Sequence, residues 1–215
     1  MLSEQINGNY TNVAYNMIVN DILNSVLNEG DKLNEQELIS KFGFSRTPIR
    51  EALIMLERDG FVKTVGREGT YVRKLTPKDI REIYIVREAL ESMAARLGAN
   101  TISVDDLSIL ANIVSKMDAV LENDNYDDFV LLDMEFHRMI VDSCHIGLLS
   151  NICYNLGILS VSIKSKGSNY KSNIKEYQRQ HREILKAFEQ RDVVSAESLL
   201  SAHIQKGKLD LLLVT

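Results

Sequence analysis

From Tyr15 the apolar positions Met17, Ile18, Ile22, Val26 and Leu27 fall near helical spacing, and Asn28-Glu29-Gly30 ends the run. Start signals follow at once. Asn34 is a good N-cap, Glu37 occupies the capping-box position, and Leu33 and Leu38 lie where a hydrophobic staple would clamp the entry. This predicts a short helix stopped by Phe42-Gly43. A third helix is predicted from Ser45 as N-cap, with Phe44 and Ile49 as a second staple and Pro48 in the first turn, where its missing N–H does no harm. Its stripe of Ile49, Ala52, Leu53 and Leu56 runs i, i+3, i+4, i+7, and Gly60 closes it. Beyond Gly60 the pattern turns β-prone. Phe61 to Val65 and Thr70 to Arg73 read as two short strands joined through Gly66-Arg67-Glu68-Gly69. Helix, short helix, turn, helix and hairpin make a winged helix-turn-helix, whose second helix of the pair enters a major groove.

Thr76-Pro77 is a second restart, with threonine as cap and proline at the first helical position. From there no convincing strand appears. Six helices are expected near 77–98, 104–123, 126–144, 147–165, 170–190 and 192–212, with no internal repeat. The expected fold is mainly α: a winged helix-turn-helix over 1–75 and an all-helical bundle of about six helices over 76–215.

Composition narrows the class. No apolar run approaches the ~20 residues that span a bilayer. The first residues lack a basic region followed by an apolar stretch, so no signal peptide is visible. Two cysteines, Cys144 and Cys153, cannot build a disulfide framework, and the expected location is the cytoplasm. The total charge is −5, but its distribution is uneven. Between Lys41 and Lys74 eight bases face four acids, +4, which leaves −9 for the rest. A basic segment on an acidic body is the electrostatic footprint of a nucleic-acid binder.

The predicted recognition helix carries Arg46, Thr47 and Arg50 on the side away from its apolar stripe. Arginines there can pair with guanine edges. Ser45, Thr47 and the N–H groups of the first turn can hold phosphates. Arg67, at the hairpin tip, can reach a neighbouring groove or the backbone. The run Leu33-Asn34-Glu35, Phe42-Gly43-Phe44-Ser45-Arg46-Thr47-Pro48-Ile49-Arg50-Glu51-Ala52-Leu53, Gly60-Phe61-Val62 and Gly69-Thr70-Tyr71-Val72 resembles the DNA-binding domain of GntR-family bacterial transcription regulators. The resemblance covers about residues 10–75 and implies operator contacts from Ser45, Arg46, Thr47, Arg50 and Gly69. Glu68 departs from the family pattern by separating Arg67 from Gly69.

In the second segment the informative residues are polar ones on apolar stripes. His181 interrupts Ile174, Tyr177, Ile184 and Phe188, and His203 interrupts Ala196, Leu199, Leu200 and Leu211. Asp133 and His137, four apart, border Phe129, Leu132, Phe136 and Ile140. Buried polar groups are costly unless partnered. Such a set could be satisfied core residues or ligands for Zn, Ni, Mn or Fe, among which sequence cannot choose. Arg87 sits within the stripe Ile80, Ile83, Leu90, Ala94 and Leu97 and needs an anion, either Glu91 one turn on or a small carboxylate ligand.

These residues look like the effector-binding FCD domain of the FadR-type GntR subfamily, over about 77–212. The resemblance implies a divalent metal held by Asp133, His137, His181 and His203 and a carboxylate effector contacted by Arg87. It also implies a homodimer on a pseudo-palindromic operator, with no membrane partner, most commonly repressing a metabolic operon. Six helices rather than seven would place the chain nearer the VanR-like branch. The alternative is a metal-dependent enzyme in a helical bundle, with an open metal position activating water. Against it, no general acid or base beyond Glu91 stands near the ligand set.

Overall fold

The computed structural model describes residues 2–164 and 168–213, and the chain divides into two compact units, 1–75 and 76–215. In the first, α1 (Leu2–Leu23), β1 (Lys32–Leu33), α2 (Glu35–Phe42), α3 (Arg46–Arg58), β2 (Val62–Val65) and β3 (Gly69–Val72) form a winged helix-turn-helix. Its core joins Ala14, Ile18, Val19 and Ile22 of α1 to Ile49, Ala52, Leu53 and Leu56 of α3. Polar bonds fix the same pair: Thr11 donates to Glu51 at 2.6 Å and Tyr15 to Asp59 at 2.9 Å.

Several local expectations change. Helix α1 begins well before Tyr15 and ends at Leu23, because Ser25 takes a left-handed φ of 57°. Its buried face is Thr11, Ala14, Tyr15, Ile18, Val19 and Ile22, so Met17 points outward, and Val26, beyond the end of the helix, is exposed. A third strand, β1, was not expected from two residues. It pairs antiparallel with β3, Lys32 opposite Tyr71, giving the order β1-β3-β2. Asn34 caps α2 by accepting from the Gln36 N–H, while Glu37 takes the Asn34 side-chain amide at 3.2 Å rather than its backbone. Ser45 is the N-cap residue of α3, but its hydroxyl makes no capping bond. Two glycines are required by the backbone: Gly43 caps α2 at φ 72°, and Gly69 enters β3 at φ 126°.

The second unit contains α4 (Pro77–Thr101), α5 (Val104–Glu122), α6 (Tyr126–Asp142), α7 (Gly147–Lys164), α8 (Ser168–Ser172), α9 (Ile174–Glu189) and α10 (Val193–Leu212). Thr76 caps α4 as expected, and Asp79 completes a capping box that was not: Asp79 accepts the Thr76 N–H at 2.8 Å, and Thr76 Oγ1 accepts the Asp79 N–H at 3.2 Å. The expected helix over 170–190 is two, broken at Asn173, so among the described residues the bundle has six long helices and one short one. Residue 165, the expected end of α7, lies outside the described residues. Helix α10 lies along α4, α5 packs on α6 and α9, and α6 on α7. Leu97, expected on the α4 stripe, is exposed.

Helix α4 also runs through Gly98-Ala99-Asn100, where a break was expected. The glycine is there for packing. A Cβ on it would lie 2.0 Å from Ser143 Oγ and 3.3 Å from the Ser143 backbone carbon. Gly→Ala inside a helix ordinarily gains up to about 1 kcal/mol. Here overpacking of about 1–3 kcal/mol should reverse the sign. Gly98→Ala should lower the urea midpoint, and adding Ser143→Ala should recover only part of the loss, since the backbone contact remains.

Candidate metal centre and nucleic-acid interface

Asp133 and His137 on α6, His181 on α9 and His203 on α10 are all buried and meet in one place. One ligand atom from each lies within 4.8 Å of every other. His137 Nε2 stands 3.2 Å from His203 Nε2, and His181 Nε2 stands 3.4 Å from Asp133 Oδ1. Bonds of about 2.0–2.2 Å to one ion would bring four such atoms to roughly these separations.

The ring orientations follow from what each Nδ1 faces. His137 Nδ1 lies 2.6 Å from Glu91 Oε2. Burial alone would raise the Glu91 carboxyl, but the Arg87 guanidinium and His137 bring it down to about 2. It is therefore a carboxylate that only accepts, and Nδ1 must donate. His203 Nδ1 faces Gln180 Oε1 at 3.0 Å, and that amide is oriented by its NH₂ donating to Glu176 at 3.1 Å. His181 Nδ1 faces Gln178 Oε1 at 3.4 Å, with the Gln178 NH₂ held by Val114 O at 3.0 Å and Asp118 at 2.6 Å. With all three protons on Nδ1, three neutral imidazoles turn bare Nε2 lone pairs toward one another and toward a carboxylate. Two lone pairs at 3.2 Å repel unless a cation or proton lies between them. The donor set fits a divalent ion, with each imidazole steered by an outer acceptor.

Further contacts complete the surround. Tyr170 on α8 donates to Asp133 Oδ1 at 3.2 Å, and burial together with Asp133 pushes its phenol well above the usual range, so it stays protonated. The rings of Phe136 and Phe129 close on His181 at 4.7 and 5.9 Å. Arg87 on α4 gives Nε to Glu91 Oε1 at 2.6 Å and Nη1 to Ser160 at 3.0 Å, and lies over the Tyr84 ring. Of the two anions open to it in the sequence, the structure supplies Glu91. A small recess of about 20 Å³ lies beside this side of the cluster, lined in part by Glu91, His137, Met134, Cys153 and Tyr154.

Ser45, Arg46, Thr47 and Arg50 are all exposed along the start of α3, and Arg67 is exposed in the β2–β3 turn that Gly69 closes. Glu57 ties that hairpin to α3, accepting from the Thr64 N–H at 2.7 Å and its hydroxyl at 2.9 Å. Arg50 is not bare: its Nε donates to Glu35 on α2.

Residues 10–72 match the bacterial regulatory proteins of the gntR family, and residues 82–206 match the FCD domain. The chain belongs to the GntR family. It is 30% identical over 190 residues to the HTH-type transcriptional regulator YdhC of Bacillus subtilis, which spans 88% of this chain and 85% of that one. It is 27% identical over 192 residues to the HTH-type transcriptional repressor RspR of Escherichia coli, covering 89% and 84%. The structure of E. coli McbR/YncC aligns over 94% of this chain and 96% of its own, with a TM-score of 0.83 at 20% identity, a likeness of fold. As a GntR member the chain is a transcription regulator that binds DNA through its helix-turn-helix, not an enzyme. No described helix is long and apolar enough to cross a membrane.

Sequence reasoning did not reach Gln178, Gln180, Tyr170 or Ser160. Gln178 carried a signal, a polar residue three before His181 beside the same stripe. Ser160 and Tyr170 carried none, since only the tertiary fold brings them in.

Two measurements test this arrangement. Gln178→Ala should weaken divalent-metal binding about 10- to 100-fold with the fold retained, read by competition with a chromogenic chelator. The Glu91 carboxyl, depressed to about 2 from an ordinary 4.5, contributes stability that is complete above pH 4.5 and is lost as pH falls toward 2. Metal-free protein should therefore lose stability to urea steadily from pH 4.5 to 2.5. A level stability across that window would remove the ion-pair assignment.

Proposed function

We propose that this GntR regulator is an operator-binding repressor whose FCD domain holds a divalent metal and responds to a small carboxylate effector. The observation that carries the reading is the convergence of three Nδ1-anchored histidines on Asp133, with all ligand atoms within 4.8 Å. Asp133, His137, His181 and His203 would hold the ion, and the mixed imidazole and carboxylate set suits Zn, Ni, Mn or Fe. When bound, the ion supplies a positive centre with room for water or an effector oxygen. Arg87 is the second anchor for that carboxylate. An effector taking its Nη1 would displace only the Ser160 hydroxyl and leave the Glu91 pair intact.

On the DNA side, Arg46 and Arg50 read base edges, Ser45 and Thr47 hold phosphates, and Arg67 and Gly69 bring the wing to the backbone or a neighbouring groove. The uncapped first turn of α3 supports the phosphate contacts, because its N–H groups remain for an anion. Repression is inferred from the E. coli relative RspR, a transcriptional repressor. A two-fold dimer matches a pseudo-palindromic operator. The effector can alter operator affinity only by binding one state of the protein more tightly than the other.

A pair of variants separates the two activities. His181→Ala should lose metal, by mass spectrometry, and effector response together, while still binding the operator. Arg50→Ala should keep metal and lose about 1–3 kcal/mol on the specific site, with much less lost on random duplex. Metal retained at full occupancy in His181→Ala combined with Asp133→Ala would overturn the site. A metal-free protein with an unchanged response to small organic acids would overturn the coupling.

A further inference from the structure

We infer that Glu35 is a positioning residue for base recognition: it holds Arg50 by the Nε edge, screens its charge from phosphates, and leaves only its terminal N–H pair for a base. The inference rests on Arg50 being a base contact, as proposed above.

Glu35 is the first residue of α2, and both of its carboxylate oxygens accept from Arg50 Nε, at 2.9 and 3.1 Å. Arg50 lies one helical turn beyond Arg46 on the exposed side of α3. The pair is not a folding device. Its side chains are 57% and 38% exposed, and ion pairs of that kind contribute little to stability. A carboxylate in the first turn of α2 does favour the helix dipole, but Glu37 in the same turn can serve that end without touching Arg50. Stability therefore gives no reason for an acid against an arginine that faces DNA.

Recognition does. A guanidinium offers two hydrogen-bonding edges, one through Nε and one through the two Nη groups. With the first edge on Glu35, the Nη pair is the edge that can meet guanine O6 and N7. The side chain is also held before binding, so less freedom is lost when the base is met. The charge acts in the same direction. A lone arginine attracts any phosphate, whereas the Arg50–Glu35 pair has no net charge, and its carboxylate repels the backbone. Glu35 thus lowers affinity for every duplex but lowers it least where a correctly placed base returns two directed bonds. Specificity is that difference.

The test uses the full chain and two duplexes of equal length: one selected by the wild-type protein from a randomised pool, the other a scrambled version of it. Binding is followed by fluorescence anisotropy over a salt series for wild type, Glu35→Gln, Arg50→Ala and the double variant. Glu35→Gln should bind scrambled duplex several-fold more tightly, with a salt slope steeper by about one unit for the added phosphate contact. Its preference for the selected duplex should fall roughly tenfold, within the range of one bidentate base contact. In the Arg50→Ala background the same change should leave the preference unaltered. If Arg50→Ala lowers the preference but Glu35→Gln does not, the Glu35 inference fails and the Arg50 reading stands. If Arg50→Ala weakens both duplexes equally, the Arg50 reading fails and takes this inference with it. If Glu35→Gln lowers the preference equally without Arg50, Glu35 acts on its own, and positioning is overturned.

Discussion

Three imidazoles cannot turn bare nitrogens on one another inside a helical core unless something positive is shared among them. That constraint organises the second unit. Helices α6, α9 and α10 each deliver a histidine to one point, and each histidine is held from behind by an acceptor on its Nδ1. The acceptors are themselves fixed. Gln178 is tied to α5 through Val114 and Asp118, Gln180 to Glu176, and Glu91 to Arg87. Breaking one outer bond frees a ring to rotate or shift its proton, and the convergence is lost.

The DNA-binding unit is built on the opposite rule. Its core is largely apolar, and the residues proposed for recognition are kept out of it. Helix α3 buries one side against α1 and leaves Arg46, Thr47 and Arg50 exposed. The Glu57–Thr64 bonds set the hairpin against the same helix, and the left-handed φ of Gly69 turns the chain into β3. The polar groups behind the histidines are locked by mutual partners, whereas the exposed Arg50 keeps its terminal N–H groups available beside its Glu35 partner.

Much of this was legible in the residues because it depends on local pattern. The stripe on α3, the cap at Thr76-Pro77 and the inward histidines each follow from spacing of three or four along one helix. The misses are tertiary. Helix α1 extends through a polar stretch because Thr11 and Ala14 meet α3, which no amphipathic stripe before Tyr15 announced. Strand β1 is two residues long and exists only because β3 is beside it. The reason for a glycine inside α4 at position 98 is Ser143, forty-five residues away in sequence. Arg87 is the instructive middle case. Its spacing to Glu91 offered the ion pair, but only the fold decides that Glu91 takes the guanidinium and His137 together.

That shared carboxylate bears on why a metal centre here would favour an anionic ligand. Among the described residues, the buried formal charges at the cluster are Arg87, Glu91 and Asp133, which sum to −1 with neutral histidines. A divalent ion added to that set makes it +1. An isolated charge of either sign is costly in a low-dielectric core, and the cost falls when a counter-charge enters. Metal binding and carboxylate binding would thus be favourable in sequence, each correcting the charge left by the step before. Arg87 would not supply this balance alone, because Glu91 already neutralises it. Its part would be geometric, a donor held rigid by its own ion pair, while a bound ion would carry the net attraction. A neutral ligand of the same shape would leave the +1 uncorrected, so in the proposed metal-loaded state selection for a carboxylate would follow from the charge count of the core before any contact with the rest of the ligand is considered.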